Sequence, residues 1–163
     1  VIILLSLKYI TPSDAKNYIQ FNVLLLIACA IGIGKAMTNS GLADWIAINT
    51  LSLVEPLGVI AVISLVYLLT NIFTELITNS AAAVLMFPIG LEMSTQMGID
   101  PIGFAVTVTI AASASFITPI GYQTNLIVYG PGAYKFTDYF KVGFPLSILV
   151  MITTVFIVYQ VWF

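Results

Sequence analysis

An apolar stretch from Pro56 to Gly90 constrains the fold most, because the polar residues Thr78, Asn79 and Ser80 interrupt it. Lipid tails cannot form hydrogen bonds with open N–H or C=O groups. Non-helical backbone at membrane depth is therefore found only inside protein or beside a water-filled cavity. The stretch is nearly twice as long as a helix needs to cross about 30 Å of hydrocarbon. It therefore predicts a re-entrant hairpin that enters and leaves the membrane on one side, with the polar residues at its tip.

A second polar interruption runs from Pro119 to Asn125, between the apolar run Phe104 to Ile117 and a shorter run that starts at Leu126. This pattern predicts one membrane crossing that is broken in its middle. Hydroxyl and carboxamide oxygens at such breaks can coordinate a cation, and the freed helix N-termini favour an anion. Together the two breaks indicate a solute site that is built from helix ends.

The composition is that of a membrane protein, since 60% of the 163 residues are hydrophobic and only 7% are charged. The chain has no histidine, so no Ser/His/Asp or Cys/His arrangement can be drawn, and we do not expect an enzyme. The net charge is −2, and the cationic residues are five lysines without an arginine. This balance excludes a basic surface for nucleic acid.

The apolar runs predict an all-α polytopic membrane protein with five segments. These are the end of a preceding helix with a cytoplasmic surface helix in 1–20, a spanning helix with an interfacial helix in 21–55, the re-entrant hairpin in 56–97, the broken transmembrane helix in 98–137 and a final transmembrane helix in 138–163. The first apolar run, Val1 to Leu7, is too short to span a bilayer. We therefore expect the chain to be the C-terminal half of a longer protein.

The lysine positions test the predicted hairpin. If the second apolar segment is re-entrant, four of the five lysines lie on one face of the membrane. These are Lys8, Lys16, Lys135 and Lys141, whereas Lys35 lies near the other face. A single crossing by that segment would divide the lysines almost evenly, two against three. By the positive-inside rule, the charge pattern favours the hairpin and places the C-terminus outside, in a prokaryotic inner membrane.

Four strings carry a family resemblance: Phe21-Asn22-Val23-Leu24-Leu25-Leu26, Ser40-Gly41-Leu42-Ala43, Thr74-Glu75-Leu76-Ile77-Thr78-Asn79-Ser80-Ala81, and Ala112-Ser113-Ala114-Ser115-Phe116 followed by Pro119, Gly121 and Asn125. They resemble the C-terminal half of the divalent anion/sodium symporter family, the sodium-coupled carriers of dicarboxylates, citrate and sulfate. The resemblance implies one of two inverted repeats, whose hairpin and broken helix enclose sodium beside a shared anion site. It also implies a homodimer that works by alternating access, with the first and last spanning helices in its scaffold or dimer contact.

The resemblance further implies the site residues. Sodium, the coupling ion, would be bound by the side-chain oxygen of Asn79 and by the backbone carbonyls of Thr74, Ile77 and Gly121. The divalent anion would contact Thr78, Asn79, Ser80, Gln123, Thr124 and Asn125. Asn125 could equally cap the second half of the broken helix. No organic cofactor is implied, and the expected partners are the anion, sodium, the lipid bilayer and the N-terminal half of the same protein.

The sequence of the broken helix indicates the class of substrate. Many dicarboxylate carriers of the family have Thr-Pro-Pro-Asn where this chain has Tyr122-Gln123-Thr124-Asn125. The Gly-Tyr-Gln-Thr-Asn string looks more like the branch associated with sulfate. The expected substrate is therefore sulfate or a dicarboxylate, with the sulfate-type branch as the nearest resemblance.

Other interpretations stay open from the residues. Tyr122 beside Gly121 faintly resembles a potassium filter, so an ion channel or pore is one alternative, although a filter needs a longer glycine-flanked loop. An arsenite-efflux-type anion permease is another. Glu75 could relay protons, as intramembrane acids often do, or hydrogen-bond free N–H groups near the hairpin tip. We favour the structural role for Glu75.

Overall fold

The computed structural model describes residues 21–163, so the helices predicted within 1–20 lie outside the described residues. Over the described range the chain forms seven α-helices, one 3₁₀ turn at Glu55–Leu57 and no strand, which confirms the all-helical prediction there. The helices are α1 (Phe21–Asn39), α2 (Leu42–Val54), α3 (Val59–Leu76), α4 (Asn79–Met97), α5 (Pro101–Ser113), α6 (Gln123–Tyr129) and α7 (Phe136–Trp162).

Helices α1 and α2 cover one side of α4. A tight turn joins them at Gly41, whose φ of 73° lies in the left-handed region that glycine adopts without strain. Gly34 of α1 lies against Val84 of α4, and the absence of a side chain at Gly34 lets the two helices approach. The buried residues of α2 recur every four positions and form one face, which consists of Ala43, Ala47 and Leu51.

Helices α3 and α4 form a helical hairpin with only Ile77 and Thr78 between them. The Thr78 side chain accepts a hydrogen bond from the Ala81 N–H at 3.4 Å and so caps the N-terminus of α4. The predicted polar break of three residues was wrong in its extent. Asn79 and Ser80 already belong to the first turn of α4, because Thr78 supplies the cap ahead of them.

The broken helix consists of α5 and α6, which residues 114–122 separate. The sequence predicted an apolar helix up to Ile117 and a break from Pro119, but α5 already ends at Ser113. In a continuous helix the Ala114 carbonyl would pair with the Thr118 N–H. Side chains of α3 take both groups instead, so the helix cannot continue.

Helix α7 runs antiparallel to α5 and is in contact with it at both ends. Gly143, early in α7, lies against the backbone of Phe116, and Phe163, just after α7, lies against Gly103 at the start of α5. Helices α3 and α7 are both long and apolar enough to cross a membrane. The predicted final helix began at residue 138, whereas α7 begins at Phe136.

The tightest packing lies between the hairpin and α5. Many large side chains there are at most 1% exposed, among them Ile63, Val66, Met86, Met93 and Phe104. In contrast, the outer faces of α1 and α7 expose apolar side chains such as Leu25 and Phe156, at 65% and 64%. Such an exterior is typical of helices that face lipid or other membrane helices.

Candidate cation and anion site

The C-terminal end of α3 presents three buried polar side chains on one face. Asn71, Thr74 and Glu75 have spacings of three and four residues, so they project together, and they are 5%, 0% and 6% exposed. All three bind the backbone of the broken helix between residues 112 and 118. The α3 end therefore supplies the partners that the interrupted backbone lacks.

Glu75 binds the break through both of its carboxylate oxygens. Oε1 accepts a hydrogen bond from the Ile117 N–H at 2.9 Å, and Oε2 accepts one from the Thr118 N–H at 2.8 Å. The backbone carbonyl of Glu75 also accepts from the Thr118 hydroxyl at 3.1 Å. These contacts agree with structural support as the role of Glu75, while a proton-relay role stays untested.

Asn71 joins three elements through one carboxamide. Its nitrogen donates to the Ala114 carbonyl at 2.8 Å, which ends α5, and its oxygen accepts from the Ser147 hydroxyl of α7 at 3.0 Å. Side-chain hydrogen bonds between membrane helices stabilise by roughly 0.6 to 2 kcal/mol each. Helix α7 is thereby held to both the hairpin and the break.

Asn79, the first residue of α4, lies where the hairpin tip meets the break. One atom of its carboxamide is 2.8 Å from the Thr74 hydroxyl and 3.2 Å from each of the carbonyl oxygens of Ala112 and Gly121. The Thr74 hydroxyl donates to the Ala112 carbonyl at 2.6 Å. We call the Asn79 carboxamide, the Thr74 hydroxyl and the Ala112 and Gly121 carbonyls the oxygen cluster.

The geometry of the oxygen cluster suits a hard cation. Oxygens that bind one ion at about 2.4 Å, the distance for calcium and its near equal in radius, sodium, lie about 3.4 Å apart when they are at right angles. The two 3.2 Å separations are close to that spacing, whereas the Thr74 hydroxyl lies at hydrogen-bond distance, 2.8 Å from the carboxamide and 2.6 Å from the Ala112 carbonyl. The four groups are all neutral, and a low ligand charge favours a monovalent over a divalent cation.

Gly121 holds its place in the cluster because it has no side chain. A Cβ at this position would overlap the Ser115 hydroxyl and would lie 3.1 Å from Oε2 of Glu75. The Gly121 N–H donates to the Thr118 hydroxyl at 3.1 Å, and Thr118 is itself bound by Glu75. Glu75 thus positions the Gly121 carbonyl through Thr118.

The open side of the tip presents donors that could contact an anion. Thr78 and Ser80 are exposed at the start of α4, and Gln123 and Thr124 are exposed at the start of α6. The first N–H groups of a helix have no partner within it, and the helix dipole adds about half a positive charge there. The N-terminus of α4 therefore brings N–H groups and hydroxyls together beside the oxygen cluster.

The sequence matches the family described as the sodium:sulfate symporter transmembrane region over residues 1–163. The chain belongs to this family. It is therefore an integral membrane protein of a transporter family and not an enzyme, which confirms the family that the four strings predicted.

Three relatives give the range of similarity. An uncharacterized transporter of Synechocystis sp. is 40% identical over 151 residues, which are 93% of this chain and 25% of that protein. Sodium/sulfate cotransporter 1 of Chlamydomonas reinhardtii is 33% identical over 156 residues, 91% of this chain and 18% of that protein. A sodium-dependent dicarboxylate transporter of Staphylococcus saprophyticus is 27% identical over 152 residues, which are 93% of this chain and 29% of that protein. The chain thus spans about a quarter of the length of these relatives.

The structure brings two of the sodium ligands expected for the symporter family together, since the Asn79 carboxamide lies 3.2 Å from the Gly121 carbonyl. Thr74 was predicted to act through its carbonyl, but its hydroxyl lies in the oxygen cluster and its carbonyl accepts from the Ser115 hydroxyl at 3.4 Å. Ile77 lies in the tip with extended backbone. Its role, like that of the other ligands, stays a prediction.

The predicted anion contacts differ in exposure. Thr78, Ser80, Gln123 and Thr124 are exposed, and Asn79 is half-buried. The nitrogen of Asn125 donates to the carbonyls of Ser115 and Thr118 at 3.1 and 3.3 Å, so this group supports the break. A contact between Asn125 and the anion stays a prediction.

Sequence reasoning missed several residues that build the site. These are Asn71, Ala112, Ser115, Thr118, Tyr139 and Ser147. One signal could have found the first of them, because Asn71, Thr74 and Glu75 share a helix face in an otherwise apolar segment, where each needs a buried partner. The Ala112 carbonyl carries no such signal, since a backbone group gives no sequence pattern.

Proposed function

We propose that the chain forms a sodium-binding repeat of a sodium-coupled symporter for a small divalent anion. The observation that carries the proposal is the oxygen cluster, in which the carboxamide at the hairpin tip meets two carbonyls of the broken helix within 3.2 Å. When the carboxamide oxygen faces the cluster, the Thr74 hydroxyl is the only proton donor among the four groups, and its proton goes to the Ala112 carbonyl. A cation among these oxygens would relieve their mutual repulsion.

The anion would bind beside the cation. A dianion that leaves water needs many N–H and O–H donors and nearby positive charge. The N-terminus of α4, the hydroxyls of Thr78 and Ser80 and the side chains of Gln123 and Thr124 would supply the donors. Bound sodium would supply the charge, so that anion and sodium would bind in a mutually dependent way.

Sulfate is the substrate that we favour over a dicarboxylate. The Tyr122-Gln123-Thr124-Asn125 string departs from the Thr-Pro-Pro-Asn of many dicarboxylate carriers. The relatives named sodium/sulfate cotransporter 1 and 2 are 33% and 34% identical to this chain, against 27% for the dicarboxylate transporter. Both comparisons support the sulfate side of the family.

The hairpin would be re-entrant. Only Ile77 and Thr78 separate its two helices, and the lysine positions favour a hairpin whose two ends lie on one face of the membrane.

Alternating access would move the hairpin and the broken helix as one body, because the buried Glu75 and Asn71 bonds join them. The sequence suggested that the last spanning helix belongs to the scaffold or the dimer contact. We now place α7 in the moving body, since Ser147 binds Asn71 and Gly143 lies against Phe116. Helices α1 and α2 would lie between this body and the scaffold.

The remaining parts of the proposal rest on the resemblance and the charge pattern. A second, inverted repeat would supply the other side of the anion site, and two copies would form a homodimer. The four lysines Lys8, Lys16, Lys135 and Lys141 would face the cytoplasm and the C-terminus would lie outside, in a prokaryotic inner membrane.

Transport by the intact protein in proteoliposomes tests the proposal. Uptake of labelled sulfate should require an inward sodium gradient, and Asn79→Ala should raise the sodium concentration for half-maximal uptake by about tenfold or more. Asn49→Ala is the matched control, because Asn49 is exposed on α2 and its nitrogen, among residues 21–163, bonds only within that helix, to the Trp45 carbonyl at 2.7 Å.

The outcomes separate the classes of transport. Sulfate and succinate compared in the same vesicles would identify the anion. Uptake that is indifferent to sodium would contradict the symporter, and current steps far above carrier turnover would favour a channel or pore. An unchanged sodium dependence in Asn79→Ala would remove this residue from the cation site.

A further inference from the structure

The oxygen cluster raises a question about its protons. The Thr74 hydroxyl has one proton, and the short bond of 2.6 Å to the Ala112 carbonyl uses it. If the Asn79 oxygen faces inward, it lies within 3.2 Å of three oxygens and receives no proton from any of them except Thr74. A cation among the oxygens would stabilise such an arrangement, because it would relieve the repulsion between their lone pairs.

The reverse orientation satisfies the same atoms without a cation. If the Asn79 nitrogen faces inward, its two protons are shared among the Thr74 hydroxyl at 2.8 Å and the Ala112 and Gly121 carbonyls at 3.2 Å each, and Ala112 also accepts the Thr74 proton. The oxygen and nitrogen of a carboxamide have nearly the same shape, so the two orientations fit the same space. The torsion that exchanges them is soft, because it joins a tetrahedral to a planar carbon.

We propose that the Asn79 carboxamide turns over by about 180° between the sodium-loaded and the sodium-free protein. Its amino group then donates to the oxygens that bind sodium in the loaded protein. This inference rests on the proposed function of the oxygen cluster as a sodium site. The oxygen binds the ion when it is present, and the nitrogen donates to the same ligands when it is absent.

Burial of the ligands explains why the protein needs such a substitute. Thr74 is 0% exposed and Ala112 is 2% exposed, so water has little access to these two groups. Unpaired polar groups at membrane depth are costly. A symporter must return across the membrane without its cargo, and the amino group would keep the tip closed on the broken helix during that step.

Nuclear magnetic resonance of the side-chain amides tests the turnover directly. The intact protein, labelled with ¹⁵N-asparagine in lipid nanodiscs, is compared in sodium chloride and in choline chloride, and Asn79 is assigned from the spectrum of Asn79→Asp. We expect the Asn79 NH₂ protons to be protected from exchange with water in choline and to lose about tenfold or more of that protection in sodium.

Asn125 is the matched control, because its amide nitrogen donates to the carbonyls of Ser115 and Thr118 and to no atom of the cluster. Its protection should be the same in both salts. Equal protection of Asn79 in sodium and in choline would overturn the proposed turnover.

Transport by Asn79→Asp gives a second test, since aspartate keeps the oxygen and loses the donor. Exchange of labelled for unlabelled anion, with sodium on both sides, does not need the sodium-free return, whereas net uptake does. We expect the ratio of exchange to net uptake to rise about tenfold or more above that of the wild type. A fall of both rates by one common factor would count against the turnover.

Direct binding of labelled sodium separates this inference from the proposed function. If Asn79→Ala binds sodium as the wild type does, the cation site itself is refuted. If sodium binding is lost but the Asn79 resonances are the same in both salts, the site stands and only the turnover is refuted.

Discussion

The two helix breaks that meet at the site differ in how they satisfy their backbone. The hairpin tip leaves only Ile77 and Thr78 outside a helix, and Thr78 caps α4 itself. The break in the other helix spans residues 114–122, and side chains from α3 bind its backbone at Ala114, Ile117 and Thr118. One break is self-sufficient and the other depends on its neighbour.

This difference indicates which element organises the site. The hairpin can take its shape from its own sequence, because a two-residue turn with a threonine cap needs no partner. The broken helix needs Asn71 and Glu75 in place before its open carbonyl and N–H groups are paired. We therefore infer that the end of α3 acts as the template on which the broken helix and the Gly121 carbonyl are positioned.

The substitution that should break this dependence most strongly is Glu75→Ala. It leaves the partly buried N–H groups of Ile117 and Thr118 without acceptors, and each such group costs at most roughly 1–3 kcal/mol. We expect the free energy of unfolding of the intact protein in detergent to fall by about 2–6 kcal/mol. Glu75→Gln keeps one acceptor but turns its NH₂ donor toward the other N–H, so it should lose at least half as much.

Glu92→Ala is the control for this measurement. Glu92 is half-buried on α4, and within the described part of the chain its carboxylate accepts only from Gln96 one helical turn away, at 2.9 Å. Changes at such a site are typically within about 0.5 kcal/mol. If Glu75→Ala is no less stable than Glu92→Ala, the template account is wrong.

Gly121→Ala should have a smaller effect, which falls mainly on the cation site. The new Cβ would overlap the Ser115 hydroxyl, and overpacking of this kind typically costs about 1–3 kcal/mol. Because the Gly121 carbonyl would move, we expect sodium affinity to fall about tenfold in a binding titration. Adding Ser115→Ala should recover part of the loss, because it removes the overlapping oxygen.

Gly130→Ala is the matched control for Gly121→Ala. Gly130 has a φ of −70° and no atom within 4 Å of an added Cβ among the described residues. Its sodium affinity should equal that of the wild type. Equal affinity in Gly121→Ala as well would mean that the Gly121 carbonyl does not bind the ion.

Thr78→Ala should have the smallest effect of the three on stability, because it acts on the self-sufficient break. The bond from the Ala81 N–H to the Thr78 hydroxyl is long, at 3.4 Å, and loss of a threonine cap typically costs about 1 kcal/mol. Thermal unfolding of Thr78→Ser, which keeps the hydroxyl, should match the wild type. A loss for Thr78→Ala as large as that for Glu75→Ala would remove the contrast between the two breaks.

Much of the helix order could be predicted, because apolar length and polar interruptions are direct consequences of the bilayer. The positions of Asn79 at the tip and of Gly121 in the second break were found in this way and through the family resemblance. The end of α5 was predicted four residues too late. Its position depends on side chains of α3 that lie about 40 residues earlier in the chain. The hydropathy of residues 101–125 does not indicate these contacts.

The backbone ligands were the hardest part of the site to predict. The Ala112 carbonyl enters the oxygen cluster because α5 ends at Ser113 and leaves this carbonyl open to the Thr74 hydroxyl. A carbonyl can become a ligand in any residue type, so its identity follows from tertiary structure alone. The side-chain ligand Asn79, in contrast, is a polar residue where lipid would otherwise exclude one.

A cryo-electron microscopy map of the intact protein in sodium and in choline tests the central claim most directly. We predict a density in sodium, absent in choline, that lies within about 2.6 Å of the Asn79 carboxamide and of the Ala112 and Gly121 carbonyls. The Glu75 contacts with Ile117 and Thr118 should be the same in both maps. Sodium-dependent density at another place, with none at the oxygen cluster, would contradict the account.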